Sequence, residues 1–186
     1  GTGDVTMTAI TANTAETVDI TGGTVIAAAI GDGNEIHTVK LTGSTAVHLG
    51  GNIVTGNTAL NLVDINGPAV LLTGITIDTT AESGSIDFSS TINSESGETN
   101  ALTLKGKDGA ISIGGLIGGS RNIGALKIND DDANGTGKIT LSGVGGDTNT
   151  LGITGIVDIG HTGTTVIDLA GIYYNINGAT TFTTTS

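Results

Sequence analysis

The sequence predicts an all-β fold, with a β-helix, or solenoid, favoured over a β-sandwich of short strands. The 186-residue chain contains 32 Gly and 33 Thr, and both residue types disfavour helix interiors. Its apolar residues fall in short groups that alternate with polar residues, which is the period of a strand. Aromatic residues make up only 2% of the chain, whereas a sandwich usually fills the space between its sheets with bulky side chains. A narrow aliphatic core instead suits coils that stack on one another.

The N-terminal portion, residues 1–80, is the less regular part of a single β domain that we expect to span residues 1–186. Two unbroken apolar runs in it, Val25–Ile30 and Ala69–Leu72, are typical of strands buried on both faces. The first run is the best candidate for a helix in the chain. It is too short for one and lies between glycines, so no helix is predicted.

From residue 75 onward, eight pairs of apolar residues, each separated by one polar residue, predict the later strands in order. Turn-forming residues such as those at 107–109 and 177–178 lie between the pairs. The uneven spacing predicts coils of roughly 20 to 28 residues, and hence about seven to nine coils. The pairs are Ile75 and Ile77, Ile86 and Phe88, Leu102 and Leu104, Ile111 and Ile113, Leu126 and Ile128, Ile139 and Leu141, Val157 and Ile159, and Ile167 and Leu169.

One motif joins three of these pairs. It reads L-T-L at 102–104, then G-x-I-x-I-G-G-x-I-G-G at 109–119, then x-I-G-x-L-x-I at 122–128. Over residues 84–186, the chain resembles the β-strand repeats of large secreted bacterial exoproteins of the filamentous-haemagglutinin and autotransporter-passenger kind. The resemblance implies a right-handed β-helix, secretion, and an adhesive or structural role at a cell surface. It identifies no catalytic residue.

The charge and composition exclude several classes of function. The net charge of −12, from 18 acidic and 6 basic residues, argues against binding to nucleic acid or to an anionic membrane. No run of 18 apolar residues occurs in the sequence, so no membrane span is predicted. The chain has no Cys, which excludes disulfides and thiolate chemistry. This composition fits an extracellular or cell-surface location.

A candidate calcium site lies at Asp130, Asp132 and Asn134, which read D-x-D-x-N-G with the following glycine. Oxygen ligands at alternate positions and a glycine for the sharp turn form the first half of a calcium loop. The twelfth position should carry a bidentate Glu but is Leu141. A solvated acidic turn therefore stays the alternative, and calcium is the only cofactor that the sequence suggests.

A neighbouring coil could supply the missing oxygens of this calcium site. The nearest acids in sequence are Asp108 and Asp147. Asn134 also begins the one N-x-S/T sequence, so a glycan is a further candidate partner.

The remaining polar residues do not form a catalytic pattern. The three histidines, His37, His48 and His161, are scattered without zinc-type spacing. Only chance proximity suggests Asp158 and Asp168 as a glycoside-cleaving pair of acids. No G-x-S-x-G motif or P-loop occurs. The chain is therefore predicted not to be an enzyme.

Both ends of the chain read as strands. Val5 and Met7 alternate with threonines, and Ala179–Ser186 is a Thr-rich β segment without a charged or Pro-bearing cap. We therefore expect a homo-oligomer or polymer that forms through the terminal strands. The expected function is that of a non-enzymatic extracellular structural protein, namely a self-assembling subunit of a cell-surface filament or layer, or a segment of an adhesin rod.

The alternative function is a solenoid module that binds carbohydrate or ice through a flat, Thr-rich face. Thr6 with Thr8, and Thr181 with Thr183, have the Thr-x-Thr spacing that such a face needs. The spacing does not recur in every coil.

Overall fold

The computed structural model describes residues 3–11, 16–31, 36–56, 62–130, 135–146 and 151–185. These residues form sixteen β-strands and no helix, so none of them forms a helix that could cross a membrane. The strands are β1 (Val5–Met7), β2 (Glu16–Ala27), β3 (Ile36–Leu49), β4 (Ile53–Val54), β5 (Leu62–Asn66), β6 (Ala69–Leu71), β7 (Ile75–Asp78), β8 (Ser85–Phe88), β9 (Ile92–Ser94), β10 (Leu102–Lys105), β11 (Ile111–Ile113), β12 (Leu126–Ile128), β13 (Ile139–Leu141), β14 (Val157–Gly160), β15 (Ile167–Leu169) and β16 (Thr180–Thr183).

The strands stack in parallel on three faces of a β-helix with about seven turns. Face 1 follows β2, β3, β5, β8, β11, β13 and β15. Face 2 follows β1, the second halves of β2 and β3, then β6 and β9, and continues through single bridges at Ile117, Val144 and Tyr174. Face 3 begins with bridges at Ile10 and Ile30 and continues through β4, β7, β10, β12, β14 and β16. At ~4.8 Å per turn, the rod is about 35 Å long.

Each face contributes ladders of inward-pointing apolar side chains to one core. On face 3 the register places one residue per turn directly above the residue of the turn before. The inner members of this ladder are essentially inaccessible to solvent. All eight predicted apolar pairs lie in strands, which confirms the predicted β-helix. The face 3 ladder runs Ile10, Ile30, Ile53, Ile77, Leu104, Ile128, Ile159 and Phe182.

Only the first three residues of each unbroken apolar run lie in a strand, and the prediction that the runs are strands buried on both faces is wrong. Val25 and Ala69 point inward and are 0% exposed. Ile26 and Val70 are only half-buried, because they point outward on face 2. The period of two therefore holds even where no polar residue marks the outer positions.

The coils lengthen along the chain. On face 2, Val5 pairs with Val25 near the N-terminal end, and Val144 pairs with Tyr174 near the C-terminal end, so a later coil contains more residues than the first. The later coils also hold an additional inward ladder, which joins Ile123, Ile153 and Ile176. On face 2, the last step along the chain is therefore longer than the first.

Asparagine side chains tie the corners of successive coils together. The Oδ1 atom of Asn93 accepts hydrogen bonds from the backbone N–H groups of Ser120 (2.9 Å) and Arg121 (3.0 Å) in the next coil. Asn122 accepts from the N–H of Gly152 in the same way, at 2.8 Å. These bonds satisfy backbone donors that no strand can satisfy at a corner.

Candidate functional site

The C-terminal coil, residues 166–185, is the most apolar exposed surface among the described residues. It contains β15, the bridge residues Tyr174 and Ile176, and β16. Nearly all large apolar side chains that are substantially exposed belong to it, with Ile156 as the neighbouring exception. The exposed fractions in this coil are 45% for Val166, 42% for Leu169, 85% for Ile172, 37% for Tyr173 and 43% for Phe182.

This exposure follows from position in the stack. Leu169 pairs in register with Leu141, and Phe182 pairs with Ile159. Leu141 and Ile159 are each 1% exposed, because a further coil covers them. No described coil stacks on the C-terminal coil, so the equivalent inward positions are exposed there.

The backbone of this coil also has a free edge. β15 and β16 are the last strands of their sheets, and each pairs with one neighbour only among the described strands. In a parallel strand, alternate residues direct their N–H and C=O groups to opposite sides. Half of these groups in β15 and β16 therefore point away from the molecule, where another strand could bind them. The prediction that both ends of the chain are strands is confirmed for β1 and β16.

The coil is held in place by its own polar contacts. The hydroxyl of Tyr174 accepts a hydrogen bond from the N–H of Gly171 (3.1 Å) and donates one to the carbonyl of Leu141 (3.0 Å). The Nδ2 group of Asn175 donates to the carbonyl of Gly146 at 2.8 Å. The apolar end surface is thus anchored to the coil beneath it.

Sequence reasoning placed strands at this end but did not identify the coil as an apolar surface. One signal was present. Three of the four aromatic residues of the chain, Tyr173, Tyr174 and Phe182, lie in this coil, and only Phe88 lies elsewhere. Tyr and Phe are enriched at protein interfaces.

The candidate calcium site lies mostly outside the described residues, since Asp132 and Asn134 fall in the range 131–134. Asp130 is described, and its Oδ2 atom lies 2.6 Å from Nζ of Lys127. This ion pair already occupies one oxygen of the carboxylate. The described part of the chain contains no group of three metal-binding side chains. Calcium binding therefore stays a prediction.

Asp108, which the sequence suggested as a further calcium ligand, links three successive coils. Its Oδ1 atom accepts hydrogen bonds from the N–H (2.9 Å) and the hydroxyl (2.8 Å) of Thr136 in the next coil. Its Oδ2 atom accepts from the hydroxyl of Ser83 in the coil before, at 3.2 Å. The two bonds from Thr136 lower the pKa of Asp108 below its ordinary 3.8, and Ser83 and the charge of Lys107 act in the same direction. Asp147 lies outside the described residues.

The three histidines lie apart. Nε2 of His37 is buried and has no hydrogen-bond partner among the described residues. His48 points outward on face 2 between Ile26 and Val70. Nδ1 of His161 accepts a hydrogen bond from the N–H of Gly163 at 2.8 Å, within a turn. The structure brings no two of them together.

The two acids considered for glycoside cleavage lie on different faces. Asp158 points outward from β14 on face 3, and Asp168 points outward from β15 on face 1. Asp168 forms an ion pair with Lys138, with 3.1 Å between Oδ2 and Nζ. No cavity is present in the described part of the molecule.

The outward threonines do not form a continuous array on face 3. Thr181 lies above Asp158, and Asp158 lies above Lys127. Only Thr103 and Thr76 are stacked as neighbours further down this column. The column is thus mixed in chemistry rather than a repeated Thr surface.

No match to this chain was found in comparisons with protein-family models, with curated proteins or with solved structures.

Proposed function

We propose that this chain is a non-enzymatic extracellular structural protein, a rod subunit of a cell-surface filament or layer or a segment of an adhesin rod. The observation that carries this proposal is the stack of parallel strands on three faces around one filled aliphatic core. The exposed strand edges of such a stack favour assembly through further strands.

The rod itself is suited to a structural role. Parallel strands follow one another on three faces, and the register is shifted at two places between β2 and β3. Their hydrogen bonds run along the rod axis, so a load along the axis is shared among three ladders in each turn. The core between the ladders consists almost entirely of Ile, Val and Leu. Mechanical continuity is therefore built from backbone bonds and packed aliphatic groups.

The resemblance to repeats of the filamentous-haemagglutinin and autotransporter-passenger kind supports the finer part of this proposal. Such repeats imply secretion and a cell-surface location. The lack of Cys and the net charge of −12 are compatible with that location. The outward threonines and acids keep faces 1 and 3 of the rod polar.

Electron microscopy and sedimentation of the purified chain test the proposal. We expect elongated particles longer than the single rod of about 35 Å, with an assembled fraction that increases with protein concentration. Strictly monomeric particles at all concentrations would contradict the self-assembling form of the proposal.

A further inference from the structure

We infer that face 2 binds face 2 of a second copy of this chain, so that two rods lie side by side. This inference rests on the proposed function, and it names the surface and the partner through which rods of a filament or layer associate laterally. The contact lies along the side of the rod, so it does not depend on what stacks on either end of the solenoid.

Face 2 differs from the other two faces in its charge. In its described segments 5–7, 24–27, 46–49, 69–71 and 92–94, and at its three bridge positions, no residue is charged. Two copies with a net charge of −12 each can therefore meet through face 2 without placing charge against charge. The strands of face 1 carry outward Asp19, Lys40, Asp64, Asp87 and Asp168, and those of face 3 carry outward Asp78, Lys105, Lys127 and Asp158.

The centre of face 2 is a column of outward side chains. Ile26, His48, Val70 and Asn93 follow one another in register, and all four are half-buried. The Oδ1 atom of Asn93 is already bonded to the backbone of the next coil. The column therefore presents two branched aliphatic groups and no carboxylate, ammonium or guanidinium group.

A flanking column continues this surface toward the later coils. Backbone hydrogen bonds place its members one coil apart. It runs through Ala46, Pro68, Thr91, Leu116, Gly143 and Tyr173. We define the face 2 strip as the apolar residues Ile26, Ala46, Pro68, Val70, Leu72 and Leu116.

Glycines let the largest side chains of the face 2 strip lie flat against the sheet. The Cδ2 atom of Leu116 is 3.0 Å from the position that an added Cβ would take on Gly143 of the next coil. The Cδ1 atom of Leu72 is 3.6 Å from the corresponding position on Gly50 of the coil before. A strip of this shape can pack against a second flat sheet at the usual distance of about 10 Å.

A second copy is the partner that matches this surface best. Seven spacings of ~4.8 Å and three residues of ~3.3 Å make face 2 about 35 Å long and about 10 Å wide. A partner recognised through charge would find no opposite charge within the described part of face 2. The same face of another rod matches it in length, flatness and lack of charge.

The area of face 2 sets the strength of this contact. Two faces of about 350 Å² each bury about 700 Å² in total, which is the size of a weak interface. Such a contact is reversible between single rods, and it strengthens when rods are also joined along their axis, because it then repeats. The size therefore suits lateral association within a filament or layer.

The first test is the Val70→Lys variant, with Ser112→Lys as its matched control. Both residues are the half-buried, outward centre of a three-residue strand, on face 2 and face 1 respectively. Each substitution makes the net charge less negative by one, so weaker association cannot come from greater repulsion between chains. We expect Val70→Lys to weaken side-by-side association by more than about tenfold, because the contact would bury an unpaired ammonium group. Ser112→Lys should leave it unchanged.

Sedimentation over a range of concentrations measures association, and the cross-section from small-angle X-ray scattering separates paired rods from longer ones. Circular dichroism checks that each variant is folded, and His48→Lys places the same charge in the same column if Val70→Lys is not. The inference fails if folded face 2 variants associate like the original chain, or if the control weakens association equally. Assemblies one rod wide would assign the strip to a different partner and leave the proposed function standing. Strictly monomeric particles would overturn both.

The second test is chemical cross-linking, which the absence of native Cys makes specific. In the assembled protein, Val70→Cys should be joined to a second copy by a short bifunctional maleimide, whereas Ser112→Cys should not. Assemblies more than one rod wide in which only Ser112→Cys is joined would show that the rods meet through face 1, and would overturn the inference.

Discussion

Leu141 and Leu169 are leucines at equivalent positions of successive coils, yet their exposure to solvent differs. They pair in register on face 1, and their exposed fractions are 1% and 42%. The difference comes from the neighbour above each of them. In this solenoid, the inward-pointing residues of one coil are buried by the coil that stacks on it. The inner coils are therefore stabilised from both sides, and the C-terminal coil from one.

The largest effect expected from this difference is on the free energy of unfolding. Leu141→Ala should cost about 2–5 kcal/mol, because it removes buried methyl groups and leaves a cavity. Leu169→Ala should cost less than about 1.5 kcal/mol in dilute solution, where the C-terminal coil is uncovered. Urea unfolding of both variants measures the difference. Equal losses at a concentration where the chain is monomeric would show that the C-terminal coil is covered by something else.

A second contrast concerns the glycines at the corners. Gly109 lies against the backbone of the coil before it, and an added Cβ would meet the carbonyl group of Gly84. Gly109→Ala should therefore destabilise the chain by about 1–3 kcal/mol through overpacking. Gly74 has no atom within 4 Å of an added Cβ, so Gly74→Ala should be neutral or stabilising by up to about 1 kcal/mol. Thermal unfolding of the Gly109→Ala and Gly74→Ala variants measures the difference. Equal melting temperatures would show that the corner at Gly109 is not tightly packed.

A smaller effect is expected at the corner that Asp108 holds. Because the folded-state pKa of Asp108 lies below its ordinary 3.8, its contribution to stability is present above that value and is lost as pH falls through the folded-state pKa. Asp108→Ala should lower the free energy of unfolding at pH 7 by less than about 1 kcal/mol, since the group is exposed.

The matched control is Asp108→Asn, which keeps an acceptor for the N–H of Thr136 but carries no charge. Urea unfolding between pH 2 and pH 7 should show the stability of the original chain converging on that of the Asn variant at the acid end. A constant difference across this range would contradict the assignment.

The smallest expected effect concerns calcium at the acidic turn. Calcium that binds the folded chain should raise its melting temperature by mass action. The rise should be only about 1–3 °C, because Lys127 already pairs with Asp130. Asp130→Asn should remove the rise, whereas Asp87→Asn on face 1 should leave it. A melting temperature that does not respond to calcium or to chelator would contradict the calcium prediction.

The strands after residue 75 could be predicted because their signal is local. Pairs such as Ile111 and Ile113 show the period of two over a single short segment, and each pair is a strand in the structure. The strands before residue 75 were harder to predict from the sequence. β2 and β3 each continue across a corner from face 1 to face 2, with a register shift near Gly22. A bend within a strand leaves no break in the apolar pattern.

The candidate calcium turn and the exposed C-terminal coil differ in the same way in how well they can be predicted from the sequence. The acidic turn at 130–134 is visible because its residues are consecutive. The exposure of Ile172 and Phe182 is not local, since it depends on which coil lies above them. The identical pattern of apolar residues is buried in one turn and exposed in another.

By itself, the sequence determined the β class, the inward ladders and the narrow aliphatic core, because alternation, glycine turns and side-chain size act over short segments. The tertiary structure decided the register of the coils, the longer steps of the later coils on face 2 and which apolar residues a neighbouring coil covers. These properties arise between residues that are distant in the sequence, where stacking rather than local preference sets the free energy.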